Sequence, residues 1–360
     1  MTRVVAYTSL CSVQRWGRPI GDVNSINGDG RRPVPLLLLH TDDGRTGVGL
    51  APHEGIERVF PVVEGEDPRA VSALYDRMLA RVFKTGHGGA VFSAIGAVDM
   101  ALWDLKAQCA GEPLWRLLGG RSPFVAGYAS ALDYGLDDAA LVALHERYLA
   151  HGFSAAKLKG GADPQTDLHR LQLLQRVYAR SGQPVKLMLD INEALSPKDA
   201  LRHVAQIEQV LPLHWVEEPV RRWDAAGHAL VRAGVRANVA SGENLSGLEQ
   251  YQPLLAAGAL DVVQTSMITG ITHFLRLAAA AQLHGLPVSL VSYRGHLVAH
   301  AATAVPNHTL LEVKELDERP LGMDYDQRVA DGGLHLGETP GLGVRVDRTA
   351  IEAHMRAGAP

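Results

Sequence analysis

Two lysines separated by a single leucine, Lys157 and Lys159 in "FSAAKLKGG", interrupt an otherwise apolar, strand-like run. In a β-strand alternate side chains share a face, so both ammonium groups point one way and Leu158 points the other. Like charges held side by side repel, and each makes its neighbour easier to deprotonate. The arrangement costs stability unless something uses it.

Three acids further along share a second regularity. Asp190 in "LMLDINE", Glu217 in "HWVEEP" and Glu243 in "ASGEN" each end a strand-like run, at spacings of 27 and 26 residues. That interval is about one strand-plus-helix repeat. If the strands form a barrel, the three carboxylates converge at the mouth formed by the strands' C-terminal ends, where barrel enzymes keep their chemistry. Clustered anions repel without a cation, and an all-oxygen set without Cys or His suits a hard divalent ion, Mg²⁺ first and Mn²⁺ second. A single such acid is more often a helix cap or a surface ion pair. Three in phase favour a metal.

The elements that must position these residues follow from periodicity. Residues 1–125 read as an α+β unit: "RRPVPLLLLHTDDGRTGVGLA" carries two apolar runs around "DDG", a hairpin pattern, and helical spacing follows as far as "LLGGRSPF". From 126 to 321 short β-rich runs alternate with amphipathic helices: "FVAGYASAL", "AAKLKGG", "VKLMLDINE", "HWVEEP", "NVASGEN", "DVVQTSM", "PVSLVSY" and "TLLEVKEL". Eight strands at this interval predict a closed α/β barrel of the TIM type rather than an open doubly wound sheet, because no GxGxxG follows the first strand and there is no Walker sequence. The Gly-rich segment 322–360 is expected to return to the first unit, so that 1–125 and 322–360 form a capping domain over the barrel.

Bulk properties narrow the partners. The 360 residues are 46% hydrophobic and 21% charged, with a formal net charge of −4. That balance gives no reason to expect nucleic acid or an anionic membrane as partner. No apolar run approaches a membrane span, the N-terminus lacks the apolar core of a signal peptide, and Cys11 and Cys109 lack metal-like spacing. The expectation is a cytoplasmic protein acting on a small molecule, assembled as a homo-oligomer.

Taken in order, Lys157-x-Lys159, Asp190-x-Asn192, Glu217-Glu218-Pro219 and Gly242-Glu243-Asn244 resemble the enolase superfamily, in its mandelate racemase and muconate-lactonising branches. The segment "AVDMALWDLKAQCAGEPLWRLLGG" resembles that family's capping domain, and the likeness covers nearly the whole chain. The resemblance implies a modified TIM barrel, (β/α)₇β, under an α+β cap. It implies Mg²⁺ held by Asp190, Glu217 and Glu243, and a first step that removes the proton α to a carboxylate. It also implies that Lys159 is the base and Lys157 its partner. Asn192 and Glu218 would lie beside the ligands, and Glu312 in "LLEVKEL" would hydrogen-bond the substrate carboxylate. A lysine base near working pH needs a depressed pKa, which Lys157 and the metal are expected to supply.

The likeness breaks on the far side of the barrel. Racemases of this kind carry an Asp on the sixth strand and a His on the seventh. Here Ser266 stands at the first position, and Val291 or Ser292 at the second. The lactonising branch's sixth-strand lysine is missing too. Tyr293, beside Arg294, is expected to have a lowered pKa; it and His296 are candidate substitutes, as are His53 and His87 from the cap. The polar segment 14–32 occupies the region that, in the family, folds over the site, and Arg15, Arg18, Asn24 and Asn27 there would suit a hydroxylated acid. Taken singly, each Tyr or His here is more often a solvated or hydrogen-bonded loop residue, and for segment 14–32 a plain surface loop is as good a reading.

The leading expectation is therefore a Mg²⁺-dependent lyase dehydrating a sugar acid, for which one base suffices. An isomerase, either an epimerase with an unrecognised second base or a lactone cycloisomerase, is the alternative. A barrel that binds a metal–carboxylate ligand without turnover ranks third, because a pure binder gains nothing from the lysine pair.

Overall fold

The protein is described here by a computed structural model, in which residues 2–358 are described. The chain begins with β1 (Val4–Arg15), followed by the short hairpin β2 (Ile20–Asp22) and β3 (Ser25–Asn27), then β4 (Arg31–Thr41) and β5 (Thr46–Gly49). Strands β1, β4 and β5 form an antiparallel sheet, turning from β4 to β5 at the anticipated "DDG". This sheet lies on the 22-residue helix Gly89–Ala110, which is buried throughout from Phe92 to Leu105. The approach is so close that a Cβ on Gly49 would sit 1.9 Å from the Ala97 carbonyl oxygen, so only glycine fits there.

The eight expected barrel strands are all present: β6 (Phe124–Ser130), β7 (Ala155–Lys159), β8 (Lys186–Asp190), β9 (Trp215–Glu217), β10 (Asn238–Ser241), β11 (Val262–Ser266), β12 (Val288–Val291) and β13 (His308–Val313). Each pairs in parallel with the next, and β13 pairs back onto β6 to close the ring. Inward residues recur every second position, which stacks them in layers. The apolar layer is Tyr128, Ala155, Met188, Trp215, Ala240, Val262 and Leu310. Two residues further along the strands come Ser130, Lys157, Asp190, Glu217, Gln264 and Glu312, all buried. The site is thus the polar layer directly above an apolar plug, and Tyr128 and Trp215 meet edge to face at 5.1 Å within that plug.

The tail divides between partners. Strands β14 (Met323–Tyr325) and β17 (Val344–Val346) pair together, and the helix Arg348–Arg356 packs on β1 of the cap. Between them, β15 (Arg328–Ala330) and β16 (Gly333–His335) form a hairpin whose second strand pairs antiparallel with Phe124, Val125 and Ala126 of the barrel. Among the described residues no helix is long and apolar enough to cross a membrane.

Candidate active site at the barrel mouth

Both lysines of β7 point inward, as the alternation demands. Lys157 Nζ lies 3.0 Å from Asp190 Oδ2 and 3.0 Å from Glu312 Oε1, and also pairs with Glu217. Lys159 Nζ lies 2.5 Å from Asp190 Oδ2 and donates to Asn192 Oδ1 at 3.2 Å. Register explains the convergence: Lys159 is level with Asp190 on β8, and Asp190 is level with Glu217 on β9.

Each acid is held from its other side. Glu217 Oε2 accepts from Trp215 Nε1 at 3.1 Å and from Gln264 Nε2 at 2.8 Å. Glu312 accepts from the Ser130 hydroxyl at 2.7 Å and the Ser292 amide at 3.0 Å, and pairs with Lys314 at 2.9 Å. Glu218 accepts from Asn244 at 2.8 Å, while its second oxygen is buried without a partner. Glu243 follows Gly242, whose φ of 125° turns the chain off β10; a Cβ there would lie 2.4 Å from the Gln264 carbonyl oxygen. Asn244 reaches Glu243 at 3.4 Å.

The electrostatics are those of a cluster with more acids than ammoniums. Burial works against the charge on Asp190 and Glu312, yet the lysines beside them hold both well below the usual carboxylate range. The surplus falls on Glu217. Burial, with Asp190, Glu243 and Glu312 close by, pushes it up to about 8 despite its contact with Lys157. Burial also raises Glu218, with Glu243 and Asp190 adding to it. Among the described residues no three His, Cys, Asp or Glu side chains are gathered tightly enough to close on one metal ion as they stand. Asp190 and Glu217 already converge on a single cationic point, the Lys157 ammonium. The neighbouring surplus of negative charge and the all-oxygen donor set fit a hard divalent ion.

One expectation about the lysines is corrected in part. Lys159 was expected to be depressed by Lys157 and the metal together. Burial and Lys157 do pull it down, but among the protein's own charges Asp190, Glu243 and Glu312 outweigh them and the net direction is upward. The protein charges alone keep Lys159 protonated.

The remaining candidates scatter. Arg18 donates to the carbonyls of Pro19 and Ala131, the latter just past β6, and Asn24 donates to the Asn192 carbonyl at 2.8 Å. With Gly21 bonded to the Leu132 carbonyl, segment 14–32 lies across the ends of β6 and β8. Arg15 is exposed, and Asn27 only closes its own turn onto Gly30 and Arg31. Both nitrogens of His53 are engaged, by Ala51 and Ser9, and both of His87, by Leu79 and Glu249. Tyr293 is a second correction: burial pushes it up to about 12, and Arg294, stacked on Trp16 as well as on Tyr293, lowers it too little to reverse this. His296 is buried, left-handed at φ 50°, and lowered by burial. Ser266 caps the turn after β11.

Several contributors were not anticipated. Asp133 accepts the Lys159 backbone N–H at 3.1 Å and is held by His145 at 3.1 Å, which in turn meets Tyr178 at 2.8 Å. Asp133 stands three residues past the end of β6, in "SALDY", whereas Asp190 and Glu217 end their strands and Glu243 lies two residues past β10. Neither Asp133 nor Gln264, Trp215 or Ser130 gave a sequence signal.

Comparison with known proteins agrees with this geometry. The family described as "Enolase C-terminal domain-like" matches residues 140–350, and "Mandelate racemase / muconate lactonizing enzyme, N-terminal domain" matches residues 13–119. The chain is 33% identical over 325 residues to a 3,6-anhydro-α-L-galactonate cycloisomerase of Streptomyces coelicolor, covering 86% of this chain and 88% of that protein. It is 28% identical to the L-talarate/galactarate dehydratase of Salmonella typhimurium, covering 92% and 86%. A crystal structure of a racemase from Streptomyces coelicolor with bound magnesium superposes with a TM-score of 0.87 at 28% identity, covering 97% of this chain and 99% of that one. The chain belongs to the enolase superfamily, in its mandelate racemase and muconate lactonizing enzyme branch.

Proposed function

We propose that the protein is a Mg²⁺-dependent enzyme that removes the α-proton of a sugar acid, with dehydration as the outcome. The observation that supports this most directly is the Lys159 ammonium, fixed by Asp190 and Asn192 at the rim of an acid cluster and anchored through its own backbone by Asp133.

Asp190, Glu217 and Glu243 would hold the ion. When bound, Mg²⁺ supplies positive charge against the substrate carboxylate as the α-carbon loses its proton. Added positive charge beside Asp190 also offsets the acids that hold Lys159 protonated, lowering it toward a usable base. Lys159 then takes the α-proton. Carrying it, the same ammonium is the donor that lets a β-hydroxyl leave as water, so the C–H and C–O bonds break and an enol remains to tautomerise to a 2-keto-3-deoxy acid. Lys157 is boxed in by Asp190, Glu217 and Glu312 and positions them rather than moving a proton.

The cycloisomerase relative supports a second reading in which the same first step ends in rearrangement without loss of water. A library of acid sugars incubated with Mg²⁺ in D₂O separates the two. Dehydration gives a product lighter by one water with a keto carbon by NMR; isomerisation conserves mass. A library in which no acid exchanges its α-proton overturns both.

A further inference from the structure

Another lysine of the mouth stands at the outer end of β13. The inward residues of that strand are Leu310 and Glu312. Alternation puts Lys314, one residue beyond the strand's last, Val313, on the same face. Register agrees: Val313 is level with Ala129 and Ala129 with Ala156, so Lys314 follows in line with Ser130 and Lys157. Lysines at strand ends are usually solvated. This side chain is only 14% exposed, and its ammonium lies 2.9 Å from Oε2 of the fully buried Glu312.

With Lys314 the site becomes a row of alternating charge, in the order Lys159, Asp190, Lys157, Glu312 and Lys314. Each side chain touches the next. Lys157, at the centre, is fully buried, and the two members that keep any exposure are the two ends. A substrate lying along the row from Lys159 therefore meets Lys314 as its next open charge. Lys314 also donates to the Ser292 carbonyl at 3.4 Å. An ammonium has three N–H groups, so one is left for the mouth.

Glu312 has nothing left to offer. Its Oε1 accepts from the Ser130 hydroxyl at 2.7 Å and has the Lys157 ammonium at 3.0 Å. Its Oε2 accepts from the Ser292 amide at 3.0 Å and has the Lys314 ammonium at 2.9 Å. A carboxylate has about four lone-pair sites, and a donor stands at each. Burial works against its charge, but Lys157, Lys314 and Lys159 hold it well below the usual carboxylate range, so it brings no proton to share. A substrate carboxylate placed against Glu312 would face an anion. Placed against Lys314, it would find a free N–H and a positive charge.

We propose that Lys314, and not Glu312, is the hydrogen-bond donor to the substrate's carboxylate, and that Glu312 aims it. The inference rests on the α-proton abstraction proposed above, and it moves the role that the resemblance gives Glu312 to a residue two positions on. As the α-proton leaves, negative charge gathers on the carboxylate oxygens, and an ammonium fixed there in advance stabilises it. Lys314 stays an ammonium throughout and moves no proton.

The test uses the Mg²⁺-loaded, full-length protein and the acid sugar whose α-proton the wild type exchanges fastest in D₂O. Lys314→Ala should lower kcat for exchange by roughly 10²-fold. Glu312→Gln should cost less, and the double variant should be no slower than Lys314→Ala alone, because Glu312 acts through the lysine. Propylammonium in the buffer should restore part of the Lys314→Ala rate, and propanol should not. Binding gives a reading apart from turnover. In a Lys159→Ala background at saturating Mg²⁺, Lys314→Ala should weaken calorimetric binding of the same acid about ten-fold. A Lys314→Ala enzyme as fast as the wild type overturns the inference. So does a Glu312→Gln loss that exceeds the Lys314→Ala loss and adds to it, the pattern of direct contact by Glu312. Rescue by propanol as good as by propylammonium overturns it too, since the side chain would then only fill space. If the wild type exchanges no acid at all, the proposed chemistry itself falls, and this reading with it.

Discussion

Strands β7 to β10 and strands β11 to β12 belong to one parallel ladder, yet their tips at the mouth differ in kind. The first group ends in Lys159, Asp190, Glu217 and, past a glycine turn, Glu243. The second ends in Ser266, whose hydroxyl caps a turn, and Val291, followed by Ser292, whose amide serves Glu312. One half ends in charged, cross-braced side chains; the other ends in uncharged residues that cap a turn or lend a backbone amide to Glu312. Backbone conformation shows how the mouth is built. Of the six described non-glycine residues with positive φ, five (Leu132, Asn192, Glu193, Glu218 and His296) lie just beyond barrel strands. Strain of this kind collects where a fold aims side chains at a ligand. Such asymmetry leads us to expect base chemistry from one face only.

The largest effect should come from removing the single base. Lys159→Ala is expected to cut α-proton exchange by about 10³–10⁴-fold. Exchange that does occur in the wild type should proceed with retention, without the mirror-image product accumulating, read by NMR and chiral chromatography. Rapid racemisation would show a second base on the neutral half, with His296 as the first to replace.

Lys157 sharpens the contrast within the charged half. Its ammonium touches three buried acids, and Lys157→Met leaves them facing one another. In the metal-free protein this should cost about 3–5 kcal/mol, the usual penalty for stranding buried charge. Chemical denaturation with and without Mg²⁺ checks it: the ion should restore much of the loss. A variant as stable as the wild type without metal would mean that the acids are not ionised together.

How much of this could be read beforehand depends on whether a residue's role is local. The barrel and its acids were legible because strand ends recur at a fixed interval and the inward period of two puts Lys157, Lys159, Asp190 and Glu217 on one wall. Asp133 and Gln264 were not, since each acts on a residue 26 and 47 positions away and neither lies in a pattern. Tyr293 was misread for a related reason. Arg294 is adjacent in sequence, but burial decides the tyrosine's acidity, and Trp16, from the other domain, shares the arginine. Segment 14–32 read as a polar loop, whereas part of it is the β2–β3 hairpin.

Gln264 allows a smaller test on the boundary between the halves. It stands on β11, in the neutral group, but its amide holds Glu217 Oε2 at 2.8 Å. Gln264→Leu should weaken Mg²⁺ binding about ten-fold, the effect of losing a partner behind a ligand, measured by calorimetric titration. An unchanged affinity would show that Trp215 and Lys157 orient Glu217 without Gln264.

The smallest effect concerns the seam that holds the cap on the barrel. Asp99, on the long cap helix, is fully buried and accepts from the Thr272 amide at 2.8 Å and the Thr272 hydroxyl, on the helix that follows β11. Burial pushes it up to about 6, although Thr272 pulls the other way. In the unfolded chain an aspartate titrates near 3.9, so between these values the fold binds the proton more tightly. This group's contribution to stability is therefore greatest at acid pH, declines as pH rises from about 4 to about 6, and is level above that. Asp99→Asn keeps an acceptor for the Thr272 amide and never ionises. Relative to the wild type it should gain about 1–3 kcal/mol between pH 4 and pH 7, visible as a difference in melting temperature that widens in the variant's favour. The difference is the right readout because Asp104, on the same helix and also pushed up to about 6, gives both proteins the same background slope. A difference that stays constant with pH, or shrinks as pH rises, would mean that Asp99 is ionised throughout and that the seam is held by a charged hydrogen bond.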